Sequence, residues 1–216
     1  MIDIQLSEEA IRVLGALMEK ALTTPDYYPL SLNALKNACN QTTNRDPIVS
    51  YDEATVLKAL ELLKTQNLAW DSQASRVAKY GENLSKKANL VPRETIVLAL
   101  LMLKGPQTPG ALRGRAERVY AFENLEAVQS VLGNLSEWGF IRHLPRQAGH
   151  KELRYAHLFA DPSMNKEKTD PTFQADIERK GESDPSQVGT LETALEQLRL
   201  DFEQLKKDFL NFKSQF

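Results

Sequence analysis

Two stretches decide the architecture: VLKALELLKTQNLAW at residues 56–70 and VQSVLGNLSEWGFIR at residues 128–142. Val56, Leu60, Leu63 and Leu68 of the first align with Val128, Leu132, Leu135 and Phe140 of the second at a constant offset of 72. Each stretch reads as an amphipathic helix that stops at a small turn, Asn67 or Gly139, and enters a short strand. Each also follows an earlier helix: EEAIRVLGALMEK from Glu8 resembles RETIVLALLMLKG from Arg93. Helices followed by a two-strand ribbon, given twice, are the pattern of tandem winged helices. The expected fold is mainly α with small β-wings: two tandem winged-helix domains plus a C-terminal coiled-coil helix.

Outward from the repeat, local signals set the elements. Ser7 before Glu8 and Glu9 is an N-cap with acidic residues in the first turn. Pro29-Leu30-Ser31 leads into a second helix, and the polar stretch from Asn40 to Pro47 reads as a loop. Ser50 with Glu53 forms an S-x-x-E capping box that predicts the start of the third helix. Residues 68–71 and 75–80 are the predicted wing. In the second copy, Pro92 suits a first helical turn, Thr108-Pro109 opens the next helix and Asn124 caps the third. Residues 140–144 and 153–157 flank a basic turn. The helix-one offset is 85 (96 − 11), so the segment between helices one and three is 13 residues shorter in this copy. The predicted domains are 1–88 and 89–160.

Residues 161–183 have few large apolar side chains and read as a linker. After them Val188, Leu191, Leu195, Leu198, Phe202, Leu205, Phe209 and Phe212 alternate spacings of three and four, a heptad seam over residues 184–216. With Val188 at a, Asp201 and Asp208 at g face Lys206 and Lys213 at e in a parallel pair, whereas an antiparallel pair sets Asp against Asp. A parallel homodimer is expected, and docking of this helix on its own domains is the alternative.

Composition narrows the function classes. Apolar residues make up 42% and charged residues 26%, ordinary for a globular chain. The longest apolar run, Ile96 to Leu103, is too short for a bilayer, so no membrane role is expected. No export signal is evident, and the single cysteine, Cys39, fits a reducing cytoplasm. Cys39 has no histidine in the first 142 residues and reads as a packed helix residue. The P-loop, zincin, nucleophile-elbow and dinucleotide motifs are missing, which excludes no enzyme class outright but predicts a non-enzyme without cofactor. His143, His150 and His157 sit at different levels of a strand–turn–strand and no metal site is expected.

Residues 1–159 carry 19 Lys and Arg against 17 Asp and Glu, and residues 160–216 carry 8 against 12. A slightly basic folded part allows double-stranded DNA as partner. Arg113, Arg115 and Arg118 form the densest basic cluster, and Arg146 and Lys151 lie in the second wing region. They either meet phosphates, or form a solvated helix face, or pair with the nearby Glu117, Glu123 and Glu152. Lys58 lies on the outward face of the third helix with Ala54, Glu61 and Thr65, the best base-proximal group. The matching face of the second copy is Glu126, Ser130, Gly133 and Glu137, anionic and repellent to phosphates. Two functions therefore stand: a DNA-binding regulator or nucleoid-associated factor, and a protein–protein scaffold using winged helices as docking modules.

The loops carry a resemblance. TTPDYYPLS (23–31), ACNQTTNRDP (38–47), TPG (108–110), RVY (118–120) and RYAHLF (154–159) are similar to the YceH-type family of uncharacterised bacterial proteins over about residues 1–159. The resemblance implies two winged-helix domains and a terminal coiled coil, and implies no activity or catalytic residue. Asn40, Thr43, Asn44 and Arg45 are polar residues just before the third helix. Loop residues on a rigid scaffold often bind something, and the alternative is local hydrogen bonding, with Asn and Thr satisfying the turn backbone and Pro47 fixing the exit; Thr43 is read that way and Arg45 is the candidate contact to a DNA backbone.

Overall fold

The structure is a computed structural model and describes residues 4–72, 76–145 and 153–160. The expected linker and heptad seam from residue 161 onward, and Arg146, His150 and Lys151, lie outside the described residues. What is described is mainly helical with small antiparallel sheets.

The first copy runs α1 (Glu8–Thr23), β1 (Leu30–Ser31), α2 (Leu32–Cys39), α3 (Glu53–Thr65), β2 (Ala69–Ser72) and β3 (Lys79–Glu82). The short α4 (Leu84–Lys87) connects it to α5 (Pro92–Lys104), α6 (Pro109–Ala116), α7 (Leu125–Glu137), β4 (Ile141–His143) and β5 (Tyr155–His157). The starts follow local chemistry. Ser7, Ser31, Thr108 and Asn124 each accept a hydrogen bond from the backbone N–H three residues on, which satisfies one orphan donor of the helix they cap. The third helix differs from the sequence reading. Asp52, not Ser50, is its cap, accepting from the Thr55 N–H at 2.8 Å. That hydrogen bond holds the Asp52 carboxyl below the usual carboxylate range.

The repeat appears in the helix ends as the same hydrogen bond made twice. The Leu68 N–H donates to Leu63 O at 2.8 Å and the Phe140 N–H to Leu135 O at 2.9 Å. The residue before each donor, Asn67 at φ 57° and Gly139 at φ 78°, takes the left-handed conformation that this helix stop requires. Each copy then forms its hairpin. β2 pairs with β3 from Ala69↔Glu82 to Ser72↔Lys79, and β4 with β5 from Ile141↔His157 to His143↔Tyr155.

A third strand, absent from the sequence reading, completes the first ribbon, and a single bridge takes its place in the second. β1 pairs with β3 through Leu30↔Tyr80, giving the order β1-β3-β2. In the second copy Gln107 and Tyr155 exchange both backbone hydrogen bonds, at 3.0 and 2.8 Å. The segment before the second helix is thus tied to the second wing strand in both copies.

The copies share one core. Every residue of α1 from Ala10 to Glu19 and every residue of α5 from Glu94 to Leu103 is buried. The two helices pack against each other, closely enough that a Cβ at Gly15 would lie 3.0 Å from Met102 Cβ. Two backbone ties cross between the copies: the Asp46 N–H donates to Leu103 O, and the Leu6 N–H to Phe159 O, both at 2.8 Å.

Candidate nucleic-acid interface

The motif-bearing loop between α2 and α3 is an internal clasp. Arg45 is buried, with 3% of its surface exposed. Its Nη1 and Nη2 donate to the two carboxylate oxygens of Glu19 at 3.1 and 2.6 Å, and its Nε and Nη2 donate to Ala38 O at 3.1 and 2.9 Å. Further bonds run to Asn44 O and Gln41 Oε1. Arg45, expected beside a DNA backbone, therefore holds the loop instead, because its forked donors are spent inside the fold. Asn40 bridges the loop's far end: its Nδ2 donates to Tyr51 O and its Oδ1 accepts from the Tyr51 N–H, both at 2.8 Å. Arg12 Nη2 donates to Pro47 O at 2.6 Å, and burial lowers the Arg12 pKa. Cys39 is fully buried and its thiol is pushed up to about 12 by that burial, so it is the packed residue the sequence suggested.

This clasp sets the start of α3, whose outward face is as the periodicity predicts. Val56, Ala59, Leu60 and Leu63 are buried, and Ala54, Lys58, Glu61 and Thr65 are exposed. Leu57 joins that face with 38% exposure, and Leu62 is half-buried beside it. Lys58 has no ion-pair partner among the described residues, whereas Lys64 is paired with Asp71 at 2.5 Å, which raises the Lys64 pKa.

Between α3 and the wing lies a groove of about 630 Å³, lined by Ser31, Leu32, Asn33, Glu53, Arg76, Val77 and Lys79. Arg76 and Lys79 are wing cations without an ion-pair partner among the described residues. The sequence reading passed over them. In RVAKY (76–80) only strand propensity was legible, and nothing in those five residues says that they face the starts of α2 and α3.

The second copy presents a different surface. Glu126, Ser130, Gly133 and Glu137 are exposed along α7, which has no Lys or Arg. Leu125 and Trp138 at its ends are 37% and 42% exposed. The arginine cluster is divided. Arg113 donates to Phe122 O at 3.4 Å and to Glu123 O at 3.1 Å, bracing the loop before α7. Arg115 donates to Gln107 Oε1. Arg118 and Arg142 are exposed. His143 is exposed, while His157 is half-buried, its Nδ1 accepting from the Phe159 N–H at 3.3 Å. Burial pushes the His157 imidazole down to about 4. Among the described residues no three His, Cys, Asp or Glu side chains group to hold a metal, and no helix is long and apolar enough to cross a membrane.

Comparison with known proteins gives a consistent result. The family model described as "Protein of unknown function, DUF480" matches residues 6–150. The chain is 48% identical over 208 residues to a UPF0502 protein of Solibacter usitatus, covering 96% of this chain and 99% of that one. It is 44% identical over 218 residues to a UPF0502 protein of Geotalea uraniireducens, covering 99% of each. A UPF0502 protein of Koribacter versatilis is 51% identical over 162 residues, 74% of this chain and 76% of that one. An uncharacterised bacterial family is what the loop motifs led us to expect.

Proposed function

The chain belongs to the DUF480 family of bacterial UPF0502 proteins, and from that premise we propose that it is a non-enzymatic tandem winged-helix protein that binds double-stranded DNA as a regulator or nucleoid-associated factor. The observation that carries the reading is the α3 face: an exposed helix surface bearing Lys58, which has no ion-pair partner among the described residues, on a helix that follows the loop held by Arg45 and Asn40. Each copy supports a winged-helix reading through three helices and a hairpin in the same order, with the segment before the second helix tied to the hairpin by a short strand in the first copy and a single bridge in the second. Lys58 approaches base edges, and Arg118 and Arg142, with Arg146 and Lys151 of the second wing region, meet phosphates. Arg113 and Arg115 brace the second copy and contribute less. The heptad seam from Val188 to Phe212 makes the protein a parallel homodimer.

The test is a gel shift with random duplex at two salt concentrations, with light scattering to follow the oligomer. Expected is a shift that fades with salt, with Arg118→Ala and Arg142→Ala each flattening the log–log slope by about 0.9. Lys58→Ala changes preference among sequences more than the slope. A folded protein that shifts no duplex at low salt sinks the reading. The scaffold reading then takes its place, favoured by one specific observation: the anionic α7 face, with Glu126 and Glu137 exposed and Leu125 and Trp138 at its ends.

A further inference from the structure

The groove beside α3 has a charge pattern that a plain phosphate backbone does not explain. Its wing wall carries two cations, Arg76 and Lys79, and its helical wall carries a carboxylate, Glu53. A phosphodiester has no donor for a carboxylate. A ligand that satisfies both walls is anionic at one end and carries N–H donors at the other.

Glu53 narrows the donor. Its Oε1 already accepts from Lys36 Nζ at 2.8 Å, which leaves Oε2 to accept a further bond while the carboxylate charge is balanced. That suits a neutral N–H better than a second ammonium. Asn33 on the same wall offers an amide, both donor and acceptor. Each wall also contributes one apolar residue, Leu32 on the helical side and Val77 on the wing side. The volume of about 630 Å³ falls in the range of small-ligand clefts, roughly 300–1,000 Å³.

We propose that this groove binds a nucleoside monophosphate bearing an exocyclic amine, with its phosphate on Arg76 and Lys79, its base between Leu32 and Val77, and its amine donating to Glu53. The bound nucleotide bridges the start of α2, the start of α3 and the wing, and so acts on the relation between α3 and its ribbon. The inference stands apart from duplex binding, since it concerns a free small molecule.

The experiment is calorimetric titration of the full chain, without DNA, with AMP and CMP, and with IMP, UMP and inorganic phosphate as comparisons. AMP or CMP is expected to bind about tenfold more tightly than IMP or UMP, the worth of one hydrogen bond, and more tightly still than phosphate, which lacks the base contact. Arg76→Ala is expected to weaken all nucleotides by a similar factor without moving the thermal unfolding midpoint. Arg76 is exposed, so this variant keeps the test decisive if Lys79→Ala, in the strand, folds poorly. Glu53→Gln is expected to close the gap between AMP and IMP while leaving phosphate unaffected. No saturable binding of AMP or CMP at about 5 mM overturns the inference, as does phosphate binding as tightly as either nucleotide. So does an Arg76→Ala variant that binds like the parent. The duplex-shift assay decides the other reading independently of these outcomes.

Discussion

Removing the Arg45 guanidinium would leave the Glu19 carboxylate and the Ala38 carbonyl buried without their donor. Breaking such a pair from one side costs about 3–5 kcal/mol. Arg45→Ala should therefore lower stability by about that amount in urea unfolding, whereas Lys58→Ala, on an open surface, should change it by less than about 0.5 kcal/mol. A surface role for Arg45 would show the reverse: a stable variant with altered DNA binding. His157 gives a pH signature. Its imidazole titrates at about 4 in the folded chain and near its ordinary 6.5 when unfolded. Between those values the unfolded state binds the extra proton, so stability falls as pH drops from 6.5 to 4 and levels off below. The loss is at most about 3 kcal/mol, and less because the ring keeps some solvent contact. His157→Asn retains an acceptor for the Phe159 N–H and should flatten this part of the stability–pH curve. An unchanged curve would assign the acid sensitivity elsewhere.

Among the elements, α7 holds a glycine with no internal reason to be there. A Cβ at Gly133 would meet nothing within 4 Å, and the residue sits mid-helix on the exposed face. Gly133→Ala should raise stability by up to about 1 kcal/mol, because alanine has the better helix propensity. A fall in the thermal midpoint would contradict the open geometry. Elements were legible in the sequence to the extent that their signals are local. Ser7, Thr108, Asn124 and Pro92 mark helix starts through bonds or angles within three residues. Asn67 and Gly139 mark the stops in the same way. The misplaced cap of α3 came from two plausible capping residues, Ser50 and Asp52, two positions apart. β1 escaped notice because a two-residue strand has no periodicity and its partner, Tyr80, lies 50 residues away. The candidate site was harder still. Arg45 reads as a surface contact until Glu19, 26 residues earlier, is found beside it, and Arg76 and Lys79 become notable only when the wing folds toward α2 and α3.

At the scale of the whole molecule, α1 and α5 each serve as the other's packing surface. Neither copy contains a complete core by itself: α1 is buried from Ala10 to Glu19 partly by helices of its own copy and partly by α5. A fragment ending at residue 88 should accordingly lack a cooperative thermal transition, while a fragment ending at residue 160 should retain one. Cooperative unfolding of the shorter piece would show that the first copy is self-sufficient. The pairing also has a consequence in time. The ribosome makes α1 some 83 residues before the middle of α5, which at about 5–20 residues per second is a wait of roughly 4–17 s. Over that interval the nascent chain carries Val13, Leu14 and Leu17 ahead of the helix that will help cover them. Until translation delivers Ile96 to Leu103, that segment carries apolar surface of the kind that makes unfinished chains prone to aggregate.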